Sequence, residues 1–290
     1  MSENPQDKEP KPPFTDQPQT PPGLESEMTP APDFGEQSYK GSGKLKGKAA
    51  IITGSDSGIG RAIALAFARE GADVLISYLN EEEDARKTRA IVEKEGRKCL
   101  TVSGDIGDEA HCKKIVEQAV KEFGKIDIFV NNAAFQMTHD SIQELSSEEF
   151  DRTFRTNIYA MFYLCKAALP EMNEGGAIIN TASIQAYQPD AMLLAYASTK
   201  GAIVTFTKAL SEEAIEQGIR VNAVAPGPIW TPLIPATMPE EKVKTFGQDT
   251  PMKRAGQPAE LAPVYVFLAS DESSYITGEV IGVTGGKPLS

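Results

Sequence analysis

Short apolar runs alternate with longer amphipathic stretches from about residue 48 to the end of the chain. Seven runs have strand length: 49–53, 73–78, 98–103, 126–131, 177–182, 219–225 and 279–283. Between the first two, Ile59, Ala62, Ile63, Ala66 and Phe67 recur at helical spacing, and Gly71 stops that helix. Further helices are predicted over about 81–95, 109–123, 147–172, 193–217 and 258–270. Apolar strands alternating with amphipathic helices predict an α/β protein: a doubly wound parallel sheet of about seven strands, with right-handed crossovers and helices on both faces. There is no internal repeat.

The first forty residues break this pattern. They carry eight acidic and three basic side chains, a net of −5, and nine of the twenty prolines. Such a segment cannot offset its ordering entropy by burying its own apolar surface. It reads either as a disordered or polyproline-like tail, or as an arm laid along the body or across a neighbouring subunit. Leu24, Met28, Phe34 and Tyr39 would be the anchors of such an arm. Residues 1–43 are therefore set apart as an acidic, Pro-rich extension, and 44–290 as one compact domain.

Composition removes several classes of function. The formal charge of −12 argues against nonspecific nucleic-acid binding, which needs a basic surface. No apolar run reaches the roughly 20 residues of a membrane helix, and the polar N-terminus lacks the apolar core of a signal peptide. Cys99, Cys112 and Cys165 are widely spaced and without a CxxC, and His111 and His139 are the only histidines. Neither a disulfide framework nor a metal site is expected. A soluble, cytoplasmic protein is the expectation.

The candidate chemistry lies in two places. Gly54, Gly58 and Gly60 sit where the first strand turns into the first helix, in Thr53-Gly54-Ser55-Asp56-Ser57-Gly58-Ile59-Gly60. Glycines there let backbone approach a pyrophosphate, which the helix N-terminus favours electrostatically. Tyr196 and Lys200 are one helical turn apart on one face. An ammonium beside a phenol stabilises phenolate, making the tyrosine a usable proton donor and acceptor near neutral pH. Either motif alone is common in proteins without such chemistry; Ser183, thirteen residues before Tyr196, joins them here.

Together with Asn131-Asn132-Ala133-Ala134, Asn157 and Pro226-Gly227, these residues resemble the short-chain dehydrogenase/reductase family in order and spacing, over about residues 47–285. The Pro-rich extension also resembles a bacterial subgroup of stress-associated oxidoreductases. The resemblance implies a Rossmann-type catalytic domain with a nicotinamide dinucleotide as cofactor and no metal. It implies that Tyr196 is the general acid for carbonyl reduction and the base for alcohol oxidation, and that Lys200 lowers its pKa and binds the nicotinamide ribose. Ser183 would hold the substrate oxygen as charge develops, with Gln185 alongside. Asn157 would fix a water linking Lys200 to solvent; read alone, it is equally a helix-distorting or buried amide. On the cofactor side, Asp56, Ser57 and Ile59 belong to the glycine turn. Asp105 and Ile106 would meet the adenine, although Asp105 could instead cap the next helix. Asn132, Ala133 and Ala134 would line the adenine-ribose side, where the family usually has glycine at the Ala134 position. Pro226, Gly227, Ile229 and Thr231 resemble the loop that binds the nicotinamide carboxamide. Thr284-Gly285-Gly286 lacks the acidic residue more usual before two glycines.

NAD-preferring relatives place an Asp at the end of the second strand, where this chain has Tyr78, and NADP-preferring ones a basic residue at Leu79 or Ser57. Both signals are missing. Asp56 and the acidic run 81–84 make the neighbourhood negative and lean the expectation slightly to NAD, with dual use open. Phe135, Gln136, Gln185, Tyr187, Met192 and Trp230 fall in segments that flank the family's catalytic centre, and 228–249 looks like a lid. They suit a small carbonyl or alcohol substrate without naming it. The apolar positions on 147–172 and 193–217 imply a homo-oligomer, expected as a homotetramer. A nucleotide-sensing regulatory protein and an epimerase or dehydratase that retains NAD are the competing readings.

Overall fold

In the computed structural model, which describes residues 4–290, the seven strands form one parallel sheet in the order β3-β2-β1-β4-β5-β6-β7. They are β1 (Ala49–Thr53), β2 (Asp73–Tyr78), β3 (Cys99–Ser103), β4 (Ile126–Asn131), β5 (Met172–Thr181), β6 (Arg220–Pro226) and β7 (Val280–Val283). Every residue of β1, β4 and β6 is buried, as expected of strands covered on both faces. Strand order reverses between β1 and β4, so a crevice opens at their C-terminal ends.

Two apolar cores lie on opposite faces of the sheet. One contains α1 (Gly58–Arg69), α2 (Glu82–Lys94) and α9 (Pro258–Ala269); the other contains α3 (Glu109–Phe123), α5 (Ala160–Ala168) and α6 (Leu194–Ala214). The expected long helix over 147–172 is interrupted. It comprises α4 (Ser147–Phe154), a π-helical turn over Arg155–Tyr159, and α5, and it ends before β5 begins at Met172. Helical periodicity cannot reveal an inserted residue, and such turns cluster at functional sites. Gly218, at φ 71°, closes the stretch after α6 in the left-handed conformation that glycine allows. Residues 228–249, expected as a lid, contain two short helices, α7 (Leu233–Thr237) and α8 (Glu240–Lys244).

The acidic extension lies along the body. Phe14 and Met28 are buried with Trp230, Ile234, Val243 and Ala255 in a third apolar cluster. Phe34 and Tyr39 pack partly buried against the α1/α9 core, and the Tyr39 hydroxyl donates to Glu70 at 2.6 Å. Leu24, expected as an anchor, stays 38% exposed; Phe14, which stacks on Trp230 with centroids 4.2 Å apart, holds the arm instead. Nine prolines reduce the chain entropy that docking removes, so few apolar anchors are needed.

Candidate active site

The glycine turn is shaped by contacts that exclude side chains. Gly54 has φ 59°, and a Cβ there would lie 2.8 Å from the Ala133 Cα; a Cβ on Gly60 would lie 2.0 Å from the Gly54 carbonyl oxygen. The result is a backbone cradle at the N-terminus of α1, where helix N–H groups carry partial positive charge. Asn132 braces it, donating its side-chain amide to the carbonyls of Thr53 and Gly54 at 3.0 and 2.9 Å. The Thr53 hydroxyl in turn accepts from the backbone N–H of Asn132 and Ala133.

A cavity of about 320 Å³ extends from this cradle over the ends of β2 and β3. Its walls include Asp56, Ser57, Gly58 and Ile59 from the turn, Tyr78 and Leu79 from the end of β2, and Asp105 and Ile106 beyond β3. The Asp105 carboxylate accepts from the Gly107 N–H at 2.8 Å, while Asp108 caps α3, so Asp105 is not the helix cap. Tyr78 is buried, and burial together with the neighbouring Glu82 holds its phenol above the usual range, whereas Leu79 is 38% exposed at the rim. Burial, reinforced by Glu81, pushes the Asp56 carboxyl up to about 7. Glu81 is itself buried, with one carboxylate oxygen lacking any protein partner. The cradle, an unpartnered buried oxygen and an apolar floor fit an adenosine pyrophosphate.

A second cavity of about 290 Å³ shares Ile59, Asn132, Ala134, Gln136 and Thr231 with the first and runs to the catalytic candidates. Ser183, Gln185, Tyr196 and Lys200 line it, with Pro226, Gly227 and Ile229 opposite. The Ser183 hydroxyl lies close enough to the Tyr196 phenol to favour its ionised form, and it accepts from the Gln185 N–H at 3.2 Å. Lys200, only 2% exposed, donates to the Thr181 carbonyl at 2.7 Å, and its Nζ lies 5.1 Å from the centre of the Tyr196 ring. Burial dominates both groups: the Tyr196 phenol is pushed up to about 12, with Ser183 pulling the other way, and the Lys200 ammonium down to about 7. The expected depression of the phenol by Lys200 is not seen: the loss of water sets the direction for both groups, and only Ser183 pulls the phenol down.

Asn157 lies in the π-helical turn and is 3% exposed. Its side chain accepts from the Phe135 N–H and donates to the Phe135 carbonyl and the Thr199 hydroxyl, at 2.8, 2.9 and 3.0 Å. It therefore pins the loop after β4 to α6, beside the catalytic pair.

Of the substrate-flanking candidates, Gln136 and Gln185 reach the catalytic cavity, and Phe135 faces the other one. Tyr187 and Met192 are not on the walls. Trp230 is fully buried beneath the arm, its indole N–H donating to the Pro30 carbonyl at 2.8 Å, and is no part of the pocket. Sequence reasoning missed the arm's contribution altogether: Pro21 and Pro22 join the wall of the first cavity. Their tandem position in the extension was the only available signal.

Comparison with known proteins places the chain in a family. The family described as Enoyl-(Acyl carrier protein) reductase matches residues 54–287. The chain is 61% identical to the uncharacterized oxidoreductase YhdF of Bacillus subtilis, covering 93% of both chains. It is 49% identical to the chloroplastic NADPH-dependent aldehyde reductase 1 of Arabidopsis thaliana, covering 93% of this chain and 96% of the relative. A short-chain dehydrogenase from Burkholderia cenocepacia, solved in complex with NADP, superimposes with a TM-score of 0.79 at 32% identity, over 84% of this chain and 98% of that one. With its seven-stranded parallel sheet and these matches over most of its length, the chain belongs to the short-chain dehydrogenase/reductase family of oxidoreductases.

Proposed function

We propose that the protein interconverts a small aldehyde or ketone and the corresponding alcohol, using a nicotinamide dinucleotide. The observation that carries this reading is that Ser183, Tyr196 and Lys200 line a cavity sharing Ile59, Asn132, Ala134, Gln136 and Thr231 with the one at the glycine cradle. When bound, the dinucleotide supplies or accepts the hydride. Gly54, Gly58 and Gly60 make room for its pyrophosphate, Asp105 and Ile106 face the adenine, and Lys200 meets the nicotinamide ribose. Pro226, Gly227, Ile229 and Thr231 hold the carboxamide side. Ser183 and Tyr196 hold the substrate oxygen, and Tyr196 gives it a proton during reduction. Gln185 borders the same pocket. Asn157 holds the loop and the α6 turn in register, and we read it as the residue that resupplies protons to Lys200 through a water. A panel of aldehydes, ketones and secondary alcohols, assayed with each cofactor by nicotinamide absorbance, tests this reading. Sustained turnover with at least one pair is expected. Stoichiometric binding without turnover across the panel would favour a nucleotide sensor instead.

The site is read as accepting both cofactors, supported by the NADP and NADPH in the relatives' descriptions and by the acidic groups around Asp56. Asp56 faces Glu81 and Asp84, and its carboxyl is neutral below about 7 and ionised above. A neutral carboxyl tolerates a 2′-phosphate, and an ionised one repels it. The ratio of kcat/KM for NADPH over NADH is therefore expected to fall several-fold as pH rises through about 7, and Asp56→Asn should flatten that dependence. A flat ratio in the parent protein would remove Asp56 from cofactor choice.

A homotetramer is the proposed assembly. Phe162 is 46% exposed and borders a groove with Phe206 and Leu210 between α5 and α6. An exposed aromatic on one helix beside partly buried apolar side chains on the next suits a two-fold, self-complementary contact. Phe162→Asp is expected to lower the mass measured by light scattering, and an unchanged mass would place the contact elsewhere.

A further inference from the structure

The arm reaches the glycine turn with a charge. Glu25, 6% exposed, accepts from the Gly58 N–H at 2.8 Å and forms an ion pair with Arg61, which is 4% exposed. Arg61 in turn donates to the Asp56 carbonyl at 2.7 and 3.0 Å, to the Thr88 hydroxyl at 2.8 Å and to the Asp84 carboxylate at 3.1 Å. Glu25 thus grips both sides of the turn: Gly58 directly, and Asp56 through Arg61. Its own backbone N–H donates to Asp84 at 3.2 Å, so the carboxylate is held in place from both ends.

The flanking arm residues bind the lid. The Phe14 N–H donates to the Lys244 carbonyl at 3.0 Å, the Gln19 N–H to the Pro235 carbonyl at 3.2 Å, and Trp230 to Pro30. Gly23 lies so close to the Pro232 carbonyl that a Cβ would approach within 2.7 Å. Turn and lid already meet at Gly58, where a Cβ would touch the Thr231 methyl at 3.2 Å. The arm therefore spans two walls of one cavity, and Pro21 and Pro22 supply part of a third.

We infer that Glu25 is a positioning residue for cofactor binding, and that the arm holds the pyrophosphate turn and the lid in their binding geometry. The inference rests on the dinucleotide reading above. A buried N–H deprived of its acceptor, and an arginine deprived of one of two carboxylates, must find new partners, and the turn between them is free to move. Preorganisation lost in this way appears in affinity for the molecule that the turn cradles rather than in the proton-transfer step.

The test uses the full-length protein and compares wild type with Glu25→Ala and Glu25→Gln, titrating NADH and NADPH by fluorescence and measuring steady-state rates. Glu25→Ala is expected to raise the cofactor Kd and KM about tenfold or more, within the usual range of coupling between neighbouring sites. kcat at saturating cofactor should stay within about twofold, because the catalytic trio is untouched. Glu25→Gln keeps an acceptor for Gly58 while losing the ion pair, so its Kd should lie between the two. It also serves if the alanine variant fails to fold. An unchanged cofactor Kd in the folded variants overturns the inference whatever happens to the melting temperature. A loss confined to kcat overturns it equally. Failure of the wild type to bind either cofactor would instead defeat the dinucleotide reading itself.

Discussion

Tyr196→Phe is expected to lower the rate of carbonyl reduction by about two or more orders of magnitude, the usual contribution of a positioned general acid. The substitution removes one hydroxyl and keeps the ring that sits beside Lys200. The fold should persist, because the ring and its packing are kept and Ser183 retains the Gln185 N–H as a donor. Cofactor affinity, measured by fluorescence titration, should therefore match wild type while kcat collapses. Near-normal turnover in this variant would remove Tyr196 from the mechanism and leave Ser183 or a water to supply the proton.

Burial of the pair favours one direction of the reaction near neutral pH. With the phenol pushed up to about 12, Tyr196 carries its proton and is ready to donate it. Once it has donated, the phenolate needs a counter-charge, and Lys200, brought down to about 7, supplies one only while protonated. The rate of reduction is thus expected to decline as pH rises through about 7, measured with a substrate that does not itself titrate. Alcohol oxidation needs the reverse, a tyrosine stripped of its proton, and should improve toward alkaline pH. Identical profiles in both directions would mean that proton transfer at Tyr196 does not govern the rate.

The sheet was legible because all seven strands are short, apolar and separated by helices of clear period. The strand ends shifted by only a few residues, as for β5, which starts at Met172 rather than at 177. The candidate site residues and the glycine turn stood out for a different reason: their spacing is local and their residue types are restricted by chemistry. What could not be read were contacts between distant segments. Phe14 and Trp230 are 216 positions apart, and neither carries a local pattern that announces a stacked pair. Glu25 looked like one of eight acidic residues in a polar extension until its position on Gly58 and Arg61 was seen. The π-helical turn that holds Asn157 was hidden because such a turn has no residue-type signature of its own.

Cofactor choice turns on the end of β2, where neither of the family's usual signals is present. Leu79 stands at the rim of the cavity, 38% exposed, near the acidic pair Asp56 and Glu81. Leu79→Arg adds a planar cation with room to extend, able to grip a 2′-phosphate in two hydrogen bonds. It also neutralises part of the negative field that an extra phosphate would meet. Hydrogen bonds to charged groups are worth about 1.5–3 kcal/mol, so the NADPH-to-NADH ratio of kcat/KM should rise about 10- to 100-fold. Tyr78→Asp should act in the opposite sense, but less strongly than strand-end geometry alone suggests. The new carboxylate would replace a buried phenol near Glu82 and Ser103, and it would stand near Asp56 and Glu81. Crowding and burial would keep part of it protonated, weakening both its grip on ribose hydroxyls and its repulsion of phosphate. Steady-state kinetics of both variants with both cofactors separate these effects. If neither substitution moves the ratio, the adenine ribose does not lie at the end of β2, and the acidic groups there serve the arm rather than the cofactor.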